Sequence, residues 1–259
     1  AGILEDDWRM ISFGDAYYVV AHPDDPDLLI SESQGGAIVR THYETRQQED
    51  ISPQPRRNDG GPVGDLEYRF NWNAPIVWSQ HEPNTFYHGA QVLLKTSDMG
   101  RSWREASPDL TRNDPEKQGP GGLPFTNEAA GGENYNTLMY LTASSHEKGV
   151  LWAGSDDGLV HLTRDGGATW ENVTPDGMAE GIVNSIEVSP HDPATAYITL
   201  MRYKFMDLAP YIYKTSDYGQ SWDLIVAGLD DPHTFVRVVR EDPKRPGLLY
   251  AGTETGLQG

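Results

Sequence analysis

The sequence predicts an all-β protein made from one four-strand unit repeated along the chain, and three observations predict it. An eight-residue pattern, Thr-x-Asp-x-Gly-x-Ser/Thr-Trp, occurs at 96–103, 163–170 and 215–222. Short aromatic and β-branched runs are separated by turns drawn from 27 Gly and 18 Pro, and no long stretch carries the i, i+3, i+4, i+7 apolar spacing of a helix. Around each copy the strands recur in one order with a period of roughly 45 to 65 residues, the signature of a repeat architecture. Together these imply a β-propeller of four-stranded antiparallel blades.

The units follow in order. The first has strands at 17–21, 28–30 and 37–40, the first two joined by His22-Pro23-Asp24-Asp25-Pro26. The second has 75–78, a turn at His81-Glu82-Pro83-Asn84, then 85–87 and 92–94; the third has 138–143, 150–153 and 159–162. The fourth has 182–188, Pro190-His191-Asp192-Pro193, 196–198 and 211–213; the fifth has 235–240 and 248–251. Naming the strands A to D with A innermost, Pro-rich turns join A to B and the repeated pattern joins C to D. Strand D follows each Trp, as at 103–107.

The expected organisation is one partial propeller domain over 1–259, with blades at about 15–73, 74–134, 135–180, 181–232 and 233–259 plus 1–14. Asp7-Trp8-Arg9-Met10-Ile11-Ser12 resembles the tail of a pattern and its outer strand, while the last unit stops at Gly256-Leu257. The reading preferred is four blades and an unfinished fifth, part of a propeller of roughly six to eight blades. The alternative is that the two ends combine in one composite blade.

The pattern has the physics of a tight turn. An Asp carboxylate accepts backbone N–H groups a residue or two on. The Gly supplies a positive φ that a Cβ would penalise. The Ser or Thr hydroxyl closes the loop, and the Trp opens the next strand and packs inward. Asp98, Gly100, Trp103, Asp165, Gly167, Trp170, Asp217, Gly219 and Trp222 are therefore expected to be structural.

Composition excludes some partners. A net charge of −19 repels phosphate backbones and anionic lipid surfaces, which argues against nucleic-acid binding. No apolar run approaches the length of a membrane span. With no cysteine, neither disulfides nor thiolate metal sites are available. The eight His show no H-x-x-x-H spacing, and no phosphate loop or G-x-S-x-G elbow occurs, so neither a metal nor a cofactor is expected.

Propeller geometry puts the B–C and D–A connections on one face, around the mouth of the central channel. The long segments 47–73, 111–136 and 201–210 are all of these types, and long connections on one side of a repeat fold carry function. That face collects Arg69, Asn71, Trp72, Asn134, Tyr135, Arg202 and Tyr203 as candidate ligand-binding residues. Aromatic faces beside amides suit a neutral glycan. Glu133, Asp156, Asp157 and Glu254 are the candidate catalytic carboxylates, since glycoside hydrolysis needs two carboxyl groups about 5 to 10 Å apart. Asp156-Asp157-Gly158 and Glu254-Thr255-Gly256 are also good tight-turn sequences.

The Thr-x-Asp-x-Gly-x-Ser/Thr-Trp residues match the Asp-box, or bacterial neuraminidase, repeat. The chain resembles the β-propellers that carry it: sialidases, xyloglucan-type glucanases, sortilin-type receptor domains and bacterial glycosyl-hydrolase-like proteins. Arg69-Phe70-Asn71-Trp72 together with Ser107-Pro108-Asp109-Leu110-Thr111 is most similar to the secreted bacterial proteins related to sortilin-type propellers. The resemblance implies an extracellular or periplasmic location and further blades or a second propeller in the intact protein. Tyr68-Arg69-Phe70-Asn71 lacks the Ile-Pro of the sialidase motif, so no sialidase site is carried over. Three functions remain: a module binding a glycan or protein partner, which is the reading preferred; a glycoside hydrolase acting on a neutral polysaccharide; and a scaffold segment of a larger chain.

Overall fold

A computed structural model of the chain describes residues 2, 10–12, 14, 16–55, 61–120, 123, 134–229 and 231–258. Among these it is all-β, with four four-stranded antiparallel sheets and a fifth of three strands. The first sheet holds β1 (Ala16–Ala21), β2 (Leu28–Ser33), β3 (Ala37–His42) and β4 (Gln47–Asp50). The second holds β5 (Ile76–Trp78), β6 (Phe86–Gly89), β7 (Leu93–Thr96) and β8 (Arg104–Glu105). β9 (Leu138–Ala143), β10 (Leu151–Ser155), β11 (Val160–Thr163) and β12 (Glu171–Asn172) form the third. β13 (Ile182–Val188), β14 (Ala196–Met201), β15 (Ile212–Thr215) and β16 (Asp223–Leu224) form the fourth. β17 (Val236–Glu241), β18 (Leu249–Thr253) and β19 (Gly256–Gln258) form the last. In every sheet the strands pair in sequence order, and the first strands of successive sheets pack side by side. These are blades of a β-propeller.

Burial explains why the sequence shows runs rather than alternation. β10 and β14 are buried along their whole length because each sheet is covered on both faces by its neighbours. The fourth strands are the opposite: β8, β12 and β16 are exposed throughout. Two expectations change. The segment 47–73 does not begin as a connection, because Gln47–Asp50 is the fourth strand of the first sheet. Its Gln-Gln-Glu-Asp sequence has no apolar residue to betray an outer edge exposed on both faces. The fifth unit also runs further, since Gly256–Gln258 forms a third strand. The outer-strand reading of 7–12 falls mostly outside the described residues; within them, the Ile11 carbonyl accepts from Thr41 Oγ1 at 3.1 Å and Gln48 Nε2 at 2.9 Å.

The three repeated turns share one hydrogen-bond set. Thr96 Oγ1 donates to Asp98 Oδ1 (2.8 Å) and accepts from Gly100 N (2.9 Å), while Ser102 donates N–H to Oδ1 (2.9 Å) and its hydroxyl to Oδ2 (2.6 Å). The same bonds recur around Asp165 and Asp217. The carboxylate thus reaches four residues ahead rather than one or two. Two consecutive residues are left-handed in each turn, Met99-Gly100, Gly166-Gly167 and Tyr218-Gly219. Each Trp then ties its sheet to the preceding one: Trp103, Trp170 and Trp222 donate Nε1–H to the carbonyls of Ile51, Ala106 and Val173 at 2.7, 2.8 and 2.8 Å. On the turns after the first strands, the Nε2–H groups of His81, His146 and His191 donate to the carbonyls of Ser144, Ser189 and Asp242, one sheet further on, at 3.1, 2.9 and 2.8 Å.

Candidate functional site at the channel mouth

A cavity of about 630 Å³ opens where the segments leading into β5, β9, β13 and β17 meet the connections that leave β10 and β14. Its apolar part is the cluster of Met139, Ile182, Met201 and Phe235, each at a strand end or one residue from it. Trp72 and Tyr203 stand on its rim, and the Tyr203 ring stacks on Phe235 with centroids 5.9 Å apart. Asn71, Asn73, Asp156, Asn184, Lys204 and Arg237 add polar groups. Arg237 lies over the Phe235 ring at 5.1 Å and pairs with Glu254 at 2.7 Å. A concave lining that mixes apolar faces about equally with directional polar groups can take a small polar molecule such as an oligosaccharide.

The structure gathers the sequence candidates unequally. Asn71, Trp72, Asp156 and Tyr203 line this one cavity. Arg69 is buried beneath the loops, pairing with Asp109 at 2.7 Å and donating to the Asn136 carbonyl at 3.2 Å. Asn134 donates to the Phe70 carbonyl at 2.7 Å, and the Tyr135 hydroxyl donates to Glu180 at 2.6 Å. Arg202 is held by the Glu180 carbonyl at 2.9 Å and by an ion pair with Asp207. These four brace the loops rather than face the cavity. Glu133 lies outside the described residues.

Asp156 and Asp157 are adjacent but reach in different directions. Asp156 Oδ1 accepts Thr137 N–H at 2.9 Å, and Oδ2 accepts Thr137 Oγ1 at 2.9 Å and Asn71 Nδ2 at 3.3 Å. Asp157 accepts Asn136 Nδ2 at 2.6 Å, Arg112 N–H at 2.8 Å and the Ser155 hydroxyl. The pair therefore clamps the segment 134–137, with Asn136 itself left-handed at φ 60°, against the strands of the third sheet. Burial pushes the Asp156 carboxyl well above the usual range, with the Asp157 charge adding to it and the Thr137 bonds opposing. Asp157 is raised by the same desolvation, against donors from Ser155, Arg112 and Asn136. A raised carboxyl in a cleft retains a proton where an exposed one does not, the state a general acid requires. Glu254, by contrast, is half-exposed beside Arg237.

Sequence reasoning missed Met139, Ile182, Asn184, Met201, Lys204, Phe235 and Arg237. A signal was present for two of them: Asn184 and Arg237 interrupt the apolar first strands of their sheets. Asn184 Nδ2 donates to the Arg237 carbonyl at 2.6 Å, joining those strands.

No family model matches the chain. It is similar to an oligoxyloglucan reducing-end-specific xyloglucanase of Emericella nidulans, 22% identical over 236 residues, which are 88% of this chain and 27% of that protein. Among solved structures, it superposes on the GH74 xyloglucanase of Xanthomonas campestris with a TM-score of 0.64 at 14% identity, over 92% of this chain and 35% of that one. YCF48 of Cyanidioschyzon merolae gives a TM-score of 0.54 at 13% identity, over 93% of this chain and 65% of that one. The chain spans about a quarter of the length of the curated relative it matches.

Proposed function

We propose that the chain is the sugar-engaging part of a glycoside-hydrolase-type propeller that acts on a neutral polysaccharide, with the glycan seated in the mouth cavity. The observation that carries this is the cavity's lining. Trp72 and the stacked Tyr203–Phe235 pair offer faces for pyranose rings, and Asn73, Asn184 and Arg237 offer hydrogen bonds to hydroxyls. The likeness to xyloglucanases supports a polysaccharide substrate over a protein one. Asp156 is the catalytic candidate that lines the cavity, and its raised carboxyl suits proton donation to a glycosidic oxygen. A second carboxylate across the sugar completes such a site, supplied by further blades or a second propeller. The repeated turns fit an Asp-box protein of the sortilin-like, glycosyl-hydrolase-like kind, with blade limits near those given above. A polymer substrate of this kind fits a secreted, extracellular or periplasmic location.

The second reading is a binding module without catalysis, and one observation favours it: both Asp156 oxygens are already engaged by Thr137 and Asn71. Calorimetric titration with xyloglucan, cello- and manno-oligosaccharides, run beside an assay of reducing-end release, separates the two. Saturable binding that Trp72→Ala and Tyr203→Ala each weaken about fivefold, close to 1 kcal/mol, is expected. Release of reducing ends that Asp156→Asn abolishes, with binding retained, identifies the hydrolase. Binding without release leaves the module. If no neutral glycan binds, the hydrolase reading falls and the module reading is left with a protein ligand alone.

A further inference from the structure

The first strands of three successive sheets share one irregularity. In β9, Leu138 pairs with Ser155 and Tyr140 with Gly154, which leaves Met139 opposite no residue of β10. In β13, Val183 pairs with Leu200 and Ser185 with Thr199, leaving Asn184 over. In β17, Val236 pairs with Thr253 and Val238 with Gly252, leaving Arg237 over. Each is a β-bulge, in which one extra residue bends the strand and re-aims a side chain. All three extra residues line the mouth cavity. β5 pairs evenly with β6, and there the wall is made by Trp72 and Asn73 from the segment before the strand.

The position before each bulge is constant and the bulge residue is not. Leu138, Val183 and Val236, one residue earlier, are all apolar and fully buried. The sheets also close tightly there: a Cβ on Gly154 would lie 2.4 Å from Val183. Against this fixed frame the bulge position holds a thioether, an amide and a guanidinium in turn. A repeat that keeps its scaffold and varies one side chain facing a cavity places its selectivity in that side chain.

Each bulge residue offers the cavity something different. Met139 contributes apolar surface beside Ile182, Met201 and Phe235. Asn184 Nδ2 donates to the Arg237 carbonyl at 2.6 Å. A carbonyl only accepts, so the amide nitrogen is fixed there and Oδ1 is left as an acceptor. The Arg237 guanidinium is held through Nε by Glu254 at 2.7 Å and lies over the Phe235 ring at 5.1 Å; it has donors only. An acceptor and a donor on neighbouring strands match two neighbouring sugar oxygens, one giving its hydroxyl proton and the other accepting.

We propose that the bulge residues Asn184 and Arg237 are the specificity-determining pair of the mouth cavity and select a sugar by the direction of two neighbouring hydroxyls, with Met139 as apolar wall. The proposal rests on the glycan reading above. Asn184 is the central member, since its sheet has a neighbour on either side. A hydroxyl that is missing or turned away leaves the acceptor or the donor without its partner in the filled cavity. That penalty discriminates more strongly than a lost apolar contact.

Calorimetric titration of the whole chain with cellotetraose, mannotetraose and xylotetraose tests it. These sugars differ in the direction of one hydroxyl and in the presence of the hydroxymethyl group. A spread of at least about tenfold between the tightest and the weakest is expected from the unmutated chain. Asn184→Leu and Arg237→Met should each shrink that spread to about threefold or less, whereas Trp72→Ala should weaken all three by a common factor. Should Asn184→Leu fail to fold, Arg237→Met, at an exposed side chain, decides. Equal affinity for the three sugars, or bulge variants that weaken all three alike, overturns this proposal while the glycan site stands. Absence of binding to all three overturns it as well, and if xyloglucan does not bind either, the glycan reading falls with it.

Discussion

Carboxyl groups in this chain are pulled in opposite directions by the turns that hold them. Asp98 and Asp165 collect the hydroxyl and N–H of Ser102 and Thr169 and are held down to about 2. Their ordinary value is 3.8, so on acidification the unfolded chain takes up these protons first. The stabilisation they give is complete above about pH 4 and is lost as pH falls through about 2. Asp156 runs the other way. Its folded value lies above 3.8, so its contribution is complete below that pH and is lost as pH rises through the folded value. Melting temperatures measured from pH 2 to pH 8 should therefore fall steeply at the acid end. Asp156→Asn should flatten the decline on the alkaline side, while costing about 1 to 3 kcal/mol because its amide would set a donor against Asn71 Nδ2. An unchanged profile on the alkaline side would mean that Asp156 is ionised in the fold.

At the scale of the element, the repeated turn tolerates no Cβ at its glycine. Gly219 has φ +82° and a Cβ would lie 2.7 Å from Val173, whereas Gly177 has φ +73° with open space around it. Alanine should cost about 1 kcal/mol at Gly177 from backbone strain alone, and about 2 to 4 kcal/mol at Gly219, where the clash with Val173 adds to it. Urea unfolding of the two variants checks the difference. These turns were legible in the sequence because their information is local: one Asp, one Gly and one Trp at fixed spacing. β4 was not, because an exposed outer strand needs no apolar residue. The turn between β3 and β4 lacks the pattern, with Tyr43, Thr45 and Gln47 where Asp, Gly and Ser or Thr stand elsewhere, yet it keeps one bond of the same kind. Gln48 stands seven residues after Thr41, as Trp103 does after Thr96, and its Nε2 donates to the Ile11 carbonyl at 2.9 Å as the indole does to Ile51. The spacing and the bond persist while the residue that advertises them does not.

On the scale of the whole molecule, the mouth is assembled by contacts far apart in the chain. Asn71 meets Asp156 across 85 residues, and Asn184 on β13 reaches the Arg237 carbonyl on β17 across 53. No local pattern carries such pairings, which is why the mouth's face was readable from loop lengths but Phe235, Met139 and Arg237 were not. Net charge, in contrast, is fully written in the sequence: 39 acidic against 20 basic residues. An excess of that size acts against the compact state through self-repulsion. Salt has two opposing effects here. It screens the repulsion, and it also weakens ion pairs such as Arg237–Glu254, whose two side chains are about half exposed. Exposed pairs contribute about 0 to 1 kcal/mol, whereas the repulsion sums over every unmatched carboxylate, so screening should win. Raising NaCl from about 0.02 to 0.5 M, which shortens the screening length from roughly 20 to 4 Å, should raise the melting temperature by several degrees at pH 7. At pH 4, with many carboxyls protonated, the same salt should have little effect. A melting temperature that falls with salt at pH 7 would instead assign the stability to ion pairs across the sheets, Arg240 with Glu187 foremost, over the excess of negative charge.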